Sequence, residues 1–189
     1  LRLGVLSWNL AGKDMGKSPH FFRQICRRLT RANLDVISIG FQEIVEMKIS
    51  WINLKNIIFK CEEISLQIKG LLDRFLGEGY ICISSLNLMG ILQLVYVHHR
   101  RYSDIIQNKF INWEDKYGGK AGIKMGNKGA VGSIFVLKHF GVLSFANCHL
   151  THGFDKVKKR EEKLISIIET LKSSTNFRKK GRTPNIGRA

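Results

Sequence analysis

The glycine-flanked turn at residues 126–131 constrains this chain more tightly than any other stretch. It reads Gly-Asn-Lys-Gly-Ala-Val and leads directly into the apolar run 130–137, which predicts a β-strand. Its two glycines free the backbone from the usual steric limits and let it approach a ligand closely. Backbone N–H groups in such a turn, with Asn127 and Lys128 between the glycines, suit a phosphate group. An ordinary hairpin turn has the same composition, so the spacing alone leaves both interpretations open.

The remaining sequence alternates short apolar runs with amphipathic segments, which predicts a mixed α/β fold. Strands are predicted at residues 3–8, 34–41, 80–88, 91–98, 130–137 and 141–149. Helices are predicted from Ser18 and Pro19 onward, over about residues 62–76, and over residues 156–171. Their buried stripes are predicted to be Phe21, Phe22, Ile25 and Leu29, then Ile64, Ile68, Leu71, Leu72 and Phe75, then Val157, Leu164, Ile168 and Leu171.

The composition is that of one folded domain. The 189 residues are 44% apolar and include two prolines, so a sizeable core is expected. No apolar run reaches the roughly 20 residues that a membrane-spanning helix requires, and no apolar leader precedes Arg2. The widely spaced Cys26, Cys61, Cys82 and Cys148 favour thiols in a reducing compartment. We therefore expect a cytoplasmic protein.

Positive charge is concentrated towards the end of the chain. The net charge is +16, and residues 156–189 carry half of it, with 11 Lys and Arg against 3 Glu. Residues 173–189 are predicted to form a basic, solvated and mobile tail, since glycine and proline interrupt them. Such charge is attracted to anionic lipid by roughly 1 kcal/mol per basic residue. Nucleic acid would attract it equally well.

Four further segments accompany the turn at 126–131. They are Ser7-Trp8-Asn9, the Phe-Gln-Glu-Ile-Val-Glu run at 41–46, the apolar run at 89–97 and Ala146-Asn147-Cys148-His149-Leu150. In this order, the five segments resemble the inositol polyphosphate 5-phosphatases of the endonuclease/exonuclease/phosphatase superfamily. The resemblance extends over residues 7–150. It implies an α/β (α+β) fold, a partial DNase-I-like four-layer sandwich in which two packed β-sheets are flanked by helices.

The resemblance also implies a Mg²⁺-dependent site built from these segments. Glu43, after a buried strand, would be the main metal ligand, because Mg²⁺ takes one or two carboxylates plus water and substrate oxygens. Asn9 would hold a metal-bound water or the phosphate, and His149 would donate to a phosphate oxygen. Asn127 and Lys128 would bind the substrate phosphate. Taken singly, each residue has an ordinary interpretation, as a loop carboxylate, a strand-end or turn amide, a solvated lysine or a core histidine.

The family pattern is incomplete after Leu150. In the family, Gly-Asp-x-Asn, Asp-Arg-Ile-Leu and Ser-Asp-His segments follow, and the last 39 residues of this chain contain none of them. His152 is a weaker candidate for a site residue than His149, because the spacing after Leu150 differs from that of the family. We therefore expect residues 1–172 to be a partial catalytic domain whose C-terminal half is missing. We expect this chain alone to be nearly inactive.

The implied function is phosphoric monoester hydrolysis. The 5-phosphate would be removed from phosphoinositides or inositol polyphosphates, which is a dephosphorylation step of phosphatidylinositol signalling. Peripheral contact with an anionic membrane is expected from the basic charge, whereas the turn at 126–131 argues against a nucleic-acid partner. Two alternatives stay open: an endonuclease of the same superfamily, and a non-enzymatic fragment that binds acidic lipids. Comparing inositol phosphate with abasic DNA as substrate would distinguish the phosphatase from an endonuclease. A metal titration would distinguish it from a lipid-binding fragment, which should not need Mg²⁺.

Overall fold

The computed structural model describes residues 1–13, 19–46, 54–114 and 128–175. The strands are β1 (Leu3–Asn9), β2 (Val36–Gln42), β3 (Tyr80–Leu88), β4 (Ile91–His98), β5 (Ile105–Glu114), β6 (Gly129–Leu137) and β7 (Gly141–His149). The helices are α1 (Pro19–Arg31), α2 (Leu54–Leu76), the short α3 (His99–Tyr102) and α4 (Val157–Thr175), which follows a 3₁₀ turn at Phe154–Lys156.

Two β-sheets organise these elements. The first has the strand order β1-β2-β4-β3, with β1 parallel to β2 and the other neighbours antiparallel. The second is the antiparallel ladder β5-β6-β7. A side-chain hydrogen bond between Gln42 and Asn147 joins the ends of β2 and β7. One edge of the molecule therefore collects the C-terminal ends of β1, β2, β3 and β7 and the N-terminal ends of β4 and β6.

The central strands of the first sheet are covered on both faces, so all of β2 and all of β4 but its last residue are buried. One face packs on α1 and α2, in a cluster that includes Ile39, Phe41, Leu94, Phe22 and Leu72. The other face packs on the second sheet, in a cluster of Val36, Val95, Val97, Phe135 and Phe145. Helix α4 packs on the far side of β6. Two packed sheets flanked by helices form the DNase-I-like sandwich that the sequence resemblance implied.

The predicted strands are confirmed to within two residues at their ends, and the first two predicted helices are present. The predicted stripes of α1 and α2 face the core. The sequence did not predict two features of the structure. Strand β5 has no simple alternation, because the polar run Gln107-Asn108-Lys109 interrupts its apolar residues. Helix α2 begins at Leu54, eight residues before the predicted start.

The predicted buried face of α4 is wrong. Three of its four members are exposed, namely Val157, Leu164 and Ile168. The helix instead buries Lys163 and Ile167, and a methyl group of Leu171 lies 3.4 Å from the position that a Cβ on Gly132 would take. Because isoleucine occurs at 165, 167 and 168, the helix has apolar residues on more than one side. The packed side carries Ile167 and Leu171, which lie against the small residues Gly132 and Ala146 of the second sheet.

The cysteines of the described residues are all free thiols. Cys26 and Cys61 are buried, whereas Cys82 and Cys148 are half-buried. Burial raises the pKa of Cys26 to about 12 and that of Cys61 to about 11, so both are neutral thiols at physiological pH. Within the same residues, no helix has the length and apolar character that crossing a membrane requires.

A buried carboxylate anchors the edge of the molecule opposite to Asn9. Asp35 accepts hydrogen bonds from the backbone N–H of Arg2 at 2.7 Å, from Arg100 Nε at 3.0 Å and from Arg101 Nε at 3.2 Å. Burial alone would raise the pKa of the Asp35 carboxyl, but these donors outweigh it and hold the pKa below its ordinary value of 3.8. The ionised carboxylate thereby ties together the start of β1, the start of β2 and α3.

We predict that Asp35→Asn lowers the free energy of unfolding at pH 7 by about 2–4 kcal/mol, because it removes the charge that two arginines face. The pKa of Asp35 is lower in the folded than in the unfolded chain. Its contribution is therefore present above pH 3.8 and is lost as the pH falls further. Urea unfolding of both chains should show the difference shrinking below about pH 4. The exposed control Glu78→Gln should unfold like the wild type, and a constant difference from pH 7 to pH 3 would contradict this role.

Candidate active site

A cleft of about 270 Å³ opens at the edge where the strand ends meet. It is lined by Ala11, Glu43, Val45, Glu46, Met89, Lys128 and His149. These residues come from the segments after β1, β2 and β3, from the residue before β6 and from the end of β7. Both sheets therefore contribute to one concave site.

Glu43 is fixed at the base of this cleft by its backbone. It follows the last residue of β2 with a φ of +51°, a left-handed conformation that costs energy for a residue with a side chain. Its carbonyl oxygen accepts a hydrogen bond from the Gly12 N–H at 2.8 Å, which ties it to the loop after β1. Its carboxylate is 40% exposed and lies 3.2 Å from His149, between Oε1 and Nε2. The kink turns a carboxylate out of a fully buried strand into the cleft.

Backbone strain is concentrated around the cleft. Among the described residues, four that are not glycine have a positive φ: Ala11, Asn33, Glu43 and Met89. Three of them line the cleft. Asn33 lies elsewhere, just after α1, where asparagine commonly ends a helix. Met89 and Gly90 form the two-residue turn of the β3–β4 hairpin, in which a positive φ is usual. The positive φ of Glu43, directly after a buried strand, is therefore the backbone feature that indicates the same location as the side chains.

Lys128 and His149 face Glu43 from the second sheet. The pairing of Gly129 with His149 brings Lys128 beside the histidine ring, and Lys128 Nζ lies 2.6 Å from His149 Nε2. Burial lowers the pKa of the Lys128 ammonium, and the nearby Glu43 carboxylate offsets part of that shift. One ring nitrogen thus faces both an ammonium and a carboxylate. It cannot accept from the first and donate to the second at once. An anion beside Lys128 or a cation beside Glu43 would relieve this conflict.

The side chains of the cleft suit a hard cation such as Mg²⁺, which prefers oxygen ligands. Glu43 and Glu46 both line the cleft, and Mg²⁺ needs only one or two carboxylates with water and substrate oxygens. Throughout the described ranges, however, no three His, Cys, Asp or Glu residues come together as a metal-binding cluster. A cation here would therefore depend on few protein ligands.

The other predicted site residues lie outside the cleft or outside the described residues. Asn9 is exposed, and its Oδ1 accepts a hydrogen bond from the Ala11 N–H at 2.8 Å, so its amide shapes the turn that carries Ala11. Its role as a metal or phosphate ligand stays a prediction. Asn127 lies outside the described residues. His152 lines a separate concavity with Arg160.

A buried amide pair beneath the cleft was not predicted to have a role. Asn147 Nδ2 donates to the carbonyl oxygens of Phe41 and Leu92, at 2.9 Å each. Gln42 Nε2 donates to Asn147 Oδ1 and, at 3.0 Å, to Ser7 Oγ. Both amides are buried. The sequence contained a signal for this pair, since Gln42 directly precedes Glu43 and Asn147 lies two residues before His149, each at the end of a strand.

The close approach of the two sheets depends on Gly40. A Cβ at this position would lie 2.6 Å from Asn147 Cγ, closer than real contacts allow. Glycine therefore gives the Asn147 amide the room to reach the backbone of the first sheet.

Two comparisons with known proteins bear on this site. A model of the family described as Endonuclease/Exonuclease/phosphatase family 2 matches residues 6–186. Among solved structures, the chain is similar to the inositol polyphosphate 5-phosphatase domain of SPsynaptojanin, determined in complex with inositol (1,4)-bisphosphate and a calcium ion. The TM-score is 0.60 at 23% identity, over 86% of this chain and 44% of that chain. No match is found among curated proteins.

Two other solved structures share the fold at lower identity. An endonuclease/exonuclease/phosphatase family protein from Bacteroides thetaiotaomicron has a TM-score of 0.54 at 16% identity, over 96% of this chain and 59% of that chain. A Cimex nitrophorin, as its ferrous NO complex, has a TM-score of 0.53 at 15% identity, over 80% of this chain and 47% of that chain. The chain thus spans about half the length of these structures. At such identities they establish the shared fold, not a shared chemistry.

We predict that Gly40→Ala lowers the free energy of unfolding by about 1–3 kcal/mol, because the added methyl group must displace the buried Asn147 amide. Gly70→Ala is the matched control. Gly70 lies on the exposed side of α2 with no atom within 4 Å of an added Cβ, so the same change there should stabilise the helix by about 0.5–1 kcal/mol. Urea unfolding measures both. Equal effects of the two substitutions would show that the sheets do not depend on Gly40.

Proposed function

We propose that this chain, which belongs to endonuclease/exonuclease/phosphatase family 2, is part of a Mg²⁺-dependent phosphatase domain. Its substrates would be phosphoinositides or inositol polyphosphates, from which it would remove the 5-phosphate. The observation that carries the proposal is the convergence of Glu43, Lys128 and His149 in one strained cleft. The fold is that of a hydrolase superfamily, and one solved structure with this fold holds an inositol bisphosphate.

The chemistry assigns a separate task to each of these side chains. Glu43 would hold Mg²⁺, which when bound neutralises charge on the phosphate and on the departing oxygen. Lys128 would place its ammonium against the phosphate oxygens, and Asn127 and the turn before β6 would add N–H donors. His149 would donate to a phosphate oxygen, so that its proton stabilises the charge of the transition state. The half-buried position of Lys128 strengthens its attraction to an anion, because less water screens it.

We further propose that residues 1–172 form only part of the catalytic domain. Of the predicted basic tail 173–189, residues 173–175 instead belong to α4, and residues 176–189 lie outside the described residues, so their part of the tail stays a proposal. The family segments that would orient and activate the attacking water do not occur in this sequence. General base catalysis contributes roughly 10²–10⁴-fold, so a chain without it would bind substrate yet turn it over very slowly. The net charge of +16 suits a cytoplasmic protein that contacts anionic membranes peripherally.

The two ligand sites should be separable by calorimetry on this chain. Glu43→Gln should weaken Mg²⁺ binding about tenfold or more, because it replaces the proposed carboxylate ligand with a neutral amide. Lys128→Met should weaken binding of inositol 1,4,5-trisphosphate about tenfold, since it removes a charge-assisted hydrogen bond. The control Glu78→Gln should change neither. Trisphosphate binding that is indifferent to Lys128→Met, or tight binding of abasic DNA, would count against the phosphatase.

Phosphate release by this chain alone should be no faster than that of its Glu43→Ala variant. The expected result follows from the absence of the water-activating segments, and a colorimetric phosphate assay with inositol 1,4,5-trisphosphate measures it. Mg²⁺-dependent release that Glu43→Ala abolishes would overturn the partial-domain assignment while supporting the substrate class.

A further inference from the structure

Two edge strands on one side of the sandwich carry none of the features that keep sheet edges from pairing. In the part of the chain that the structure describes, no strand pairs with the outer side of β1 or of β7. Their sequences contain no Pro, Lys, Arg, Asp or Glu, and their ladders run without a bulge. Natural edge strands are usually protected by such charges, by proline or by bulges. Both edges are therefore open to a further strand.

The opposite edges of the same two sheets are protected. Strand β3 has a register shift between Cys82 and Ser84, and β5 has one between Ile105 and Gln107. The sequence of β5 also contains charged residues. In a chain with a net charge of +16, the uncharged edges β1 and β7 are unusual. Protection against pairing is thus missing on one side of the molecule only, among the described strands.

Strand β1 reaches past the edge of the second sheet. Strand β6 lies against β3 and β4, and β7 lies against β4 and β2. Ser7 of β1 points towards the second sheet, since its Oγ accepts a hydrogen bond from Gln42 Nε2, which also donates to Asn147. Because side chains alternate along a strand, Leu3 and Val5 point to the same side. They are nevertheless 43% and 72% exposed. A space about one strand wide is therefore open beside β7 and under β1.

The occupant that fits this space is a polypeptide strand. A strand hydrogen-bonds to the free N–H and C=O groups along a sheet edge, whereas lipid tails offer these groups no partner. The strand that enters must be uncharged, and its side chains that meet Leu3 and Val5 must be apolar. Strand β1 has both properties itself.

We infer that a second copy of this chain fills the space, so that two copies form a twofold dimer. A twofold axis that runs along the strands, between the two sheets, exchanges the sheets. It places β1 of each copy beside β7 of the other and under the other copy's β1. The four-stranded sheet of one copy then continues into the three-stranded sheet of its partner, and both contacts close at once. Because β1 and β7 both end at the cleft edge, the new strand pairs are parallel.

The shape of the open side favours a second copy over other polypeptides. Strand β1 projects past β7 by about one strand, and a twofold-related copy brings a single strand with the same projection. Val5 then faces Val5 of the partner subunit across the roughly 10 Å that separate packed sheets. The part of the catalytic domain that we propose to be missing would compete for the same edges. A solution of the 189-residue chain contains no such strands, so a second copy is the donor that remains.

The size of the contact predicts a dimer of moderate affinity. Each copy contributes strands of seven and nine residues, somewhat fewer than the roughly 20–30 residues a side of a standard interface. We therefore expect a dissociation constant on the order of micromolar. Two chains of charge +16 repel each other, so added salt should strengthen the dimer.

Sedimentation equilibrium of the 189-residue chain tests the dimer. Val5→Lys should weaken association about tenfold or more, because it brings two like charges together at the axis. Val5 is 72% exposed in the single chain, so the substitution should leave the fold intact. Phe59→Lys is the matched control, since Phe59 is 70% exposed on α2, and it should leave association unchanged. A wild type that stays monomeric at about 100 µM, or equal effects of the two substitutions, would overturn the dimer.

Mixing two variants tests the twofold axis. Val5→Lys and Val5→Glu should each be largely monomeric, because like charges would face each other. Their equimolar mixture should associate about fivefold more tightly than either variant alone, since opposite charges then meet. A mixture no tighter than its components would overturn the arrangement. These measurements require no phosphate ligand. A dimer that binds no inositol phosphate would therefore remove the proposed function and leave the inference standing, whereas a monomer that binds it would do the reverse.

Discussion

The hydrogen bonds of Asn147 across the two sheets hold the candidate site together. Its amide reaches the backbone of β2 and β4 and the side chain of Gln42, in a space that Gly40 leaves open. Because Gln42 precedes Glu43 and Asn147 comes two residues before His149, one buried contact sets both walls of the cleft. Neutral amides suit this position, since a buried charge would cost far more to desolvate. A satisfied polar contact also selects one register, because a slip by one residue would turn Asn147 away from its partners.

The cleft brings together groups whose hydrogen-bonding requirements conflict. A half-buried ammonium and a carboxylate face the same nitrogen of His149, and three strained residues shape the walls. Such an arrangement favours the binding of charged ligands. The fold alone does not supply this preference, because a nitrophorin that was determined as a ferrous NO complex shares it. Phosphate chemistry in this protein would therefore depend on Lys128, His149 and Glu43, and not on the sandwich that carries them.

Local patterns in the sequence determined most of the secondary structure. The two central strands are recognisable because both of their faces are buried, which enriches them in apolar and β-branched residues. In helices α1 and α2 the predicted apolar stripe is the face that packs, although α2 also has Ile58, Phe59 and Leu66 exposed on other sides. The five segments between residues 7 and 150 identified the family, and they contain the three residues that meet in the cleft. These features depend on neighbours in the chain, which a sequence displays directly.

Only the tertiary structure decided the features that depend on distant surfaces. Helix α4 has apolar residues on more than one side, and its packing against Gly132 and Ala146 of the second sheet buries Ile167 and leaves Ile168 exposed. The pairing of Gln42 with Asn147 joins positions 105 residues apart, and no local pattern encodes it. The sequence by itself thus specified the elements and the chemistry of the side chains. Packing specified which faces and which pairs meet, because shape complementarity exists only between assembled surfaces.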